Sequence, residues 1–181
     1  AGKSGATITT LTGHSAWANA TQLVPVTAYP VLNILGIDVT AMMIGANGAS
    51  VISKATHKAG LQTWMTNILG VRPAMKFVLI APYDLTGAGV DASLSGYADA
   101  CYELAQADSQ ILFLNLFREA GTYASIDTDY LSDHVHPIDY RGCKYFGQVL
   151  HGLLRQAADS PALTSVVPPA TVGGVAGSIR Q

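Results

Sequence analysis

Apolar and β-branched positions along the chain gather in four short runs, set between longer stretches with helical spacing. Thr7 to Leu11 is a β-branched run. Val39 to Ile44 is apolar apart from Thr40. Phe77 to Ile80 and Ile111 to Phe117 complete the set. Unbroken apolar runs of this length suit parallel strands covered on both faces. Between them, Ala16 to Leu23 places Trp17, Ala20 and Leu23 on one helical face. Tyr29 to Leu35 reads as a short helix with Pro30 in its first turn and Gly36 as its stop. Val51 to Leu69 is mixed and mostly helical. Tyr97 to Ala107 turns Ala98, Cys101, Leu104 and Ala105 inward. Cys143, Phe146, Val149, Leu150, Leu153 and Leu154 recur at the spacing of a final amphipathic helix. This alternation of strand and helix predicts an α/β chain: a three-layer α/β/α sandwich with a central parallel sheet.

Composition narrows the picture. The 181 residues are 49% hydrophobic and 12% charged, with a formal net charge of −2. That suits one domain with a large core. Residues 1–158 form the expected domain, and residues 159–181 read as a Pro- and Gly-rich tail or linker. There is no basic run to bind nucleic acid, and no apolar stretch long enough to span a membrane. Cys101 and Cys143 fall on expected helices without metal-ligand spacing, and both read as buried free thiols. Lys54, His57 and Lys58 read as a solvated helix face. No signal peptide is visible, and Ala1-Gly2-Lys3-Ser4-Gly5 reads as a processed or excised end. A surface of Ser, Thr, Asn, Gln, Gly and Ala suits an extracellular or virion-associated protein with neutral or glycan partners.

Candidate chemistry collects at turns that follow the strands, where open α/β sheets carry their sites. Thr12-Gly13-His14-Ser15 follows the first run and offers a hydroxyl, although Ser15 is equally a good helix N-cap. Gly45-Ala46-Asn47-Gly48-Ala49-Ser50 follows the second and offers backbone N–H groups. Ala81-Pro82-Tyr83-Asp84 follows the third. Leu131-Ser132-Asp133-His134-Val135-His136-Pro137 precedes the last helix. Asp133 is within reach of His136, and such a pair holds one tautomer and leaves the other ring nitrogen free to accept a proton. Ser15 as nucleophile, His136 as base, Asp133 as orienting acid and the Ser15 and Gly48 N–H groups as oxyanion donors would make a complete Ser-His-Asp set. His134 lacks the three-residue offset from Asp133. A zinc site built from His14, His134 and His136 would need loop ends to meet tetrahedrally. No metal and no cofactor is expected.

These blocks resemble the SGNH (GDSL-like) hydrolase superfamily, in its order and over most of residues 7–154. The family's Gly-Asp-Ser corresponds to Gly13-His14-Ser15, and its second-block glycine to Gly48. Its Asp-x-x-His-Pro matches Asp133, His136 and Pro137 residue for residue. The third block departs from the pattern: Tyr83 stands where the oxyanion Asn is usual, and His14 replaces the usual Asp. The resemblance implies a flavodoxin-like SGNH fold. It also implies a serine esterase acting on small acyl groups, above all O-acetyl esters of a carbohydrate. Catalysis would fall to Ser15, His136 and Asp133, with Gly48 and Tyr83 at the oxyanion and Asn47, His14 and Asp84 binding substrate. Domains of this kind occur on phage tail proteins, so a larger, trimeric tail fibre or tailspike is one expected context. The alternative is a catalytically degenerate glycan-binding or structural virion domain of the same fold. The altered first and third blocks leave that alternative open.

Overall fold

The computed structural model describes residues 38–46, 52–70, 72–88 and 93–159. The expected strand Thr7–Leu11, both turns carrying His14, Ser15, Asn47 and Gly48, and the tail beyond Asp159 lie outside the described residues. Within them the order is β1 (Val39–Met43), α1 (Lys54–Leu69), β2 (Lys76–Ala81), α2 (Ser93–Ala107), β3 (Ile111–Asn115), α3 (Leu116–Glu119), α4 (Tyr123–Tyr130) and α5 (Asp139–Asp159). A short 3-10 turn, Thr86–Ala88, follows β2.

The three described strands form one parallel sheet in the order β1-β2-β3. Strand β2 alternates between its two faces. Phe77 and Leu79 point into a cluster with Leu61, Trp64, Met65 and Ile68 of α1 and Cys101, Leu104 and Ala105 of α2. Ile80 packs instead against the cluster holding Phe146, Val149 and Leu150 of α5. Helices thus cover both faces of the sheet, giving the α/β/α sandwich that the run pattern predicts.

Three readings are corrected. The Ile111–Phe117 run is not all strand: it ends at Asn115, whose side-chain oxygen accepts the Arg118 N–H at 3.2 Å and starts α3 at Leu116. His57 is not solvated surface. It is 1% exposed and stacks on Tyr97 with ring centroids 4.0 Å apart. Lys54 and Lys58 do reach the surface, where both pair with Glu103 of α2, at 2.7 and 2.6 Å. The third correction concerns the thiols: Cys101 is buried but Cys143 is exposed. Cys143 is not part of the apolar cluster that takes in Tyr145, Phe146, Val149 and Leu150 of the same helix.

The carboxyl ends of the strands are tightly fitted. At the end of β1, Gly45 has φ of +142°. A Cβ there would lie 2.8 Å from the Tyr97 ring, so the His57–Tyr97 stack fills the space that a side chain would need. The Tyr97 hydroxyl donates to the Ile52 carbonyl just beyond that turn.

Candidate active site

Residues 131–137 make a closed loop between α4 and α5. Leu131 and Pro137 form an antiparallel bridge. The Ser132 N–H donates to the His136 carbonyl at 2.7 Å, and the Ile138 N–H to the Tyr130 carbonyl at 2.7 Å. Within the loop, Asp133 uses both carboxylate oxygens. Oδ1 accepts the backbone N–H groups of Val135 at 3.1 Å and His136 at 2.7 Å. Oδ2 lies 2.8 Å from His136 Nδ1. The His136 side-chain and backbone hydrogen bonds hold the Asp133 carboxyl well below its usual range, at about 2. Asp133 is therefore an ionised acceptor near neutral pH. Its contact places the proton on His136 Nδ1 and leaves Nε2 as the free acceptor. The pair is open to solvent, with side-chain exposures of 74% for His136 and 58% for Asp133.

The turn after β2 supports this loop. The Tyr83 hydroxyl donates to the Val135 carbonyl at 2.7 Å, and its ring stacks on Phe146 with centroids 4.3 Å apart. Burial, with the Asp133 charge as a lesser cause, pushes the phenol up to about 12, so it stays a proton donor. The expectation for Tyr83 was a donor to an oxyanion. Its proton is instead engaged by a backbone carbonyl, and this bond sets the Asp133–His136 loop over the carboxyl end of β2. Asp84, expected to bind substrate, is equally occupied. Oδ1 accepts from the Thr86 N–H and hydroxyl at 2.9 and 2.7 Å, and Oδ2 accepts the Tyr123 N–H at 2.9 Å. It caps the start of α4, where Thr122 makes no side-chain capping bond.

Two features escape a reading by sequence alone. His134 Nδ1 lies 2.9 and 3.1 Å from the two carboxylate oxygens of Asp127 on α4, a residue with no motif to mark it. Gly142 sits in α5 where a Cβ would come within 2.3 Å of the Tyr130 carbonyl oxygen and 3.0 Å of the Pro137 carbonyl carbon. Only glycine lets α5 start this close to the loop; a glycine inside a helical run is the one sequence signal for it.

Of the expected site residues, the structure brings Tyr83, Asp133 and His136 together and assigns Asp84 to a helix cap. Ser15, Gly48, Asn47 and His14 lie outside the described residues. Among the described residues no three His, Cys, Asp or Glu side chains gather as metal ligands, and no helix is long and apolar enough to cross a membrane.

No protein-family model and no curated protein matches the sequence. The chain is similar in structure to a carbohydrate esterase of family 3 from Talaromyces cellulolyticus. Their TM-score is 0.61 at 15% sequence identity, over 88% of this chain and 72% of that one. At that identity the likeness is one of fold: this chain shares its α/β/α architecture with that protein.

Proposed function

We propose that the protein is a serine esterase that removes small acyl groups, O-acetyl groups first, from a carbohydrate. In this reading Ser15 attacks the ester carbonyl. His136 Nε2 takes the hydroxyl proton and returns it to the leaving alcohol, while Asp133 holds the imidazole and offsets its charge. The Ser15 and Gly48 N–H groups carry the oxyanion. The observation that carries the reading is the Asp133 Oδ2–His136 Nδ1 contact at 2.8 Å, in a loop bound through Tyr83 to the carboxyl end of β2. That is where a nucleophile following the first strand would arrive in a parallel α/β sheet. The fold shared with a carbohydrate esterase adds support. A trimeric tail-fibre context and an extracellular or virion location belong to the same proposal, on the low charge and polar surface of the sequence.

The engaged Tyr83 proton favours a second reading, a glycan-binding domain without turnover, because the third oxyanion donor usual in the family has no replacement there. One experiment separates the two readings. Turnover of p-nitrophenyl acetate and labelling by a fluorophosphonate, both lost in Ser15→Ala, are expected of the esterase. Neither turnover nor labelling, with an acetylated oligosaccharide still bound, would establish the binding domain instead.

A further inference from the structure

The loop carries a second acid–imidazole pair that the proposed chemistry does not use. His134 stands at its tip with φ of +66°, a left-handed conformation uncommon outside glycine, which histidine enters more readily than most residues. Its side chain does not face Asp133. It reaches α4, where Nδ1 meets both oxygens of Asp127. Asp127 is only 20% exposed, while His134 is 75% exposed. The carboxylate is thus held by the fold, and the imidazole is the part that comes to it. Helix α4 is itself fixed, since Asp84 from the β2 turn accepts its first N–H at 2.9 Å. A strained backbone residue held by a specific side-chain contact points to a conformation imposed by its surroundings.

We infer that the Asp127–His134 pair is a latch that positions His136. The strain at residue 134 falls between Asp133 and Val135, the two residues whose side chain and carbonyl fix the dyad loop. Release of the imidazole from Asp127 would let residue 134 relax toward an ordinary φ. That rotation would propagate to the Asp133 carboxylate on one side and to the His136 backbone on the other. The 2.8 Å contact between Asp133 and His136 would then lose its fixed geometry. His134 acts through His136 and is a positioning residue. This rests on the reading of His136 as the base, but it concerns the conformation of the loop and can be measured without turnover.

The test compares wild type with His134→Ala and His134→Asn. Asparagine tolerates a left-handed φ, and its side-chain N–H sits as many bonds from Cβ as imidazole Nδ1, so it can still donate to Asp127. Two readouts are taken: steady-state kinetics on p-nitrophenyl acetate, and long-range 1H–15N spectra of the His136 imidazole, which report its tautomer. For His134→Ala, kcat is expected to fall on the order of tenfold at unchanged KM, and His136 to move from the Nδ1–H tautomer toward a mixture. His134→Asn is expected to restore both. An unchanged His136 spectrum in His134→Ala overturns the latch whatever happens to activity. So does an Asn variant as impaired as Ala, or an effect confined to KM, since either makes the His134 imidazole a direct contact. If wild type shows no turnover, the esterase reading fails and the His136 spectra alone decide the latch.

Discussion

Replacing His57 with Phe should remove a defined part of the protein's acid sensitivity. His57 is 1% exposed, stacked on Tyr97, and its Nε2 has no hydrogen-bond partner among the described residues. Burial lowers its pKa from 6.5 to about 4. The folded state therefore binds this proton more weakly than the unfolded chain. Stability from keeping His57 neutral is fully present above pH 6.5, falls as the unfolded chain takes up the proton, and levels off below about 4. A shift of that size corresponds to about 3 kcal/mol in total, and to about 2 kcal/mol between about pH 7 and about pH 4.5. Phe preserves the stack with Tyr97 and has nothing to protonate. Urea unfolding at the two pH values should show wild type losing about 2 kcal/mol more than His57→Phe. The difference between proteins cancels groups that titrate alike in both, the carboxylates of Asp133 and Glu103 among them. Equal pH dependence in the two proteins would refute the claim that His57 is buried neutral. At pH 7 the variant should be at least as stable as wild type, because it no longer buries an unpartnered ring nitrogen.

Three further substitutions probe the loop. Asp133→Asn should lower kcat on p-nitrophenyl acetate by on the order of a thousandfold or more, because an amide neither fixes the Nδ1–H tautomer nor offsets an imidazolium; a rate within threefold would exclude Asp133 as the orienting acid. Tyr83→Phe removes the donor to Val135 and should cost about 1 kcal/mol in urea unfolding. Its kcat should fall only modestly, since the proton is engaged by the backbone, and a loss of several hundredfold would return Tyr83 to the oxyanion. Gly142→Ala sets two effects against each other: better helix propensity worth about 1 kcal/mol, and a Cβ 2.3 Å from the Tyr130 oxygen. That oxygen is backbone and cannot rotate away. Overpacking of about 1–3 kcal/mol should win, and a raised melting temperature would contradict this packing.

Much of the fold was legible because strands buried on both faces leave an unbroken apolar signature. Val39–Met43, Lys76–Ala81 and Ile111–Asn115 each lie within two residues of an expected run. The overrun at β3 came from following hydrophobicity past Asn115, a polar residue whose capping bond stops the strand. His57 was misread from its lysine neighbours, although it shares a helical face with Leu61, Trp64, Met65 and Ile68, all buried. Periodicity was the better guide there than local charge. In the site, Asp133–His136 was legible because its members are three residues apart in one loop. Asp127–His134 was not, because it depends on α4, a helix that buries only Ile126 and so leaves almost no apolar pattern.

The exposure of the dyad explains why so many contacts converge on its loop. A buried catalytic imidazole is oriented by the packing around it. His136 is 74% exposed, with no such enclosure among the described residues. Screening by water also weakens its Coulomb attraction to Asp133. Orientation must then come from the backbone. Asp133 Oδ1 takes two main-chain N–H groups, so the carboxylate is fixed to the loop before it meets the imidazole. The loop is held in turn by Tyr83 at Val135, by Asp127 at His134, and by Gly142 at the closed base. Each tether arrives from a different element: the β2 turn, α4 and α5. The three contacts therefore constrain the geometry of His136 together, and in the esterase reading a substrate that covers the loop would add the desolvation that an exposed imidazole lacks.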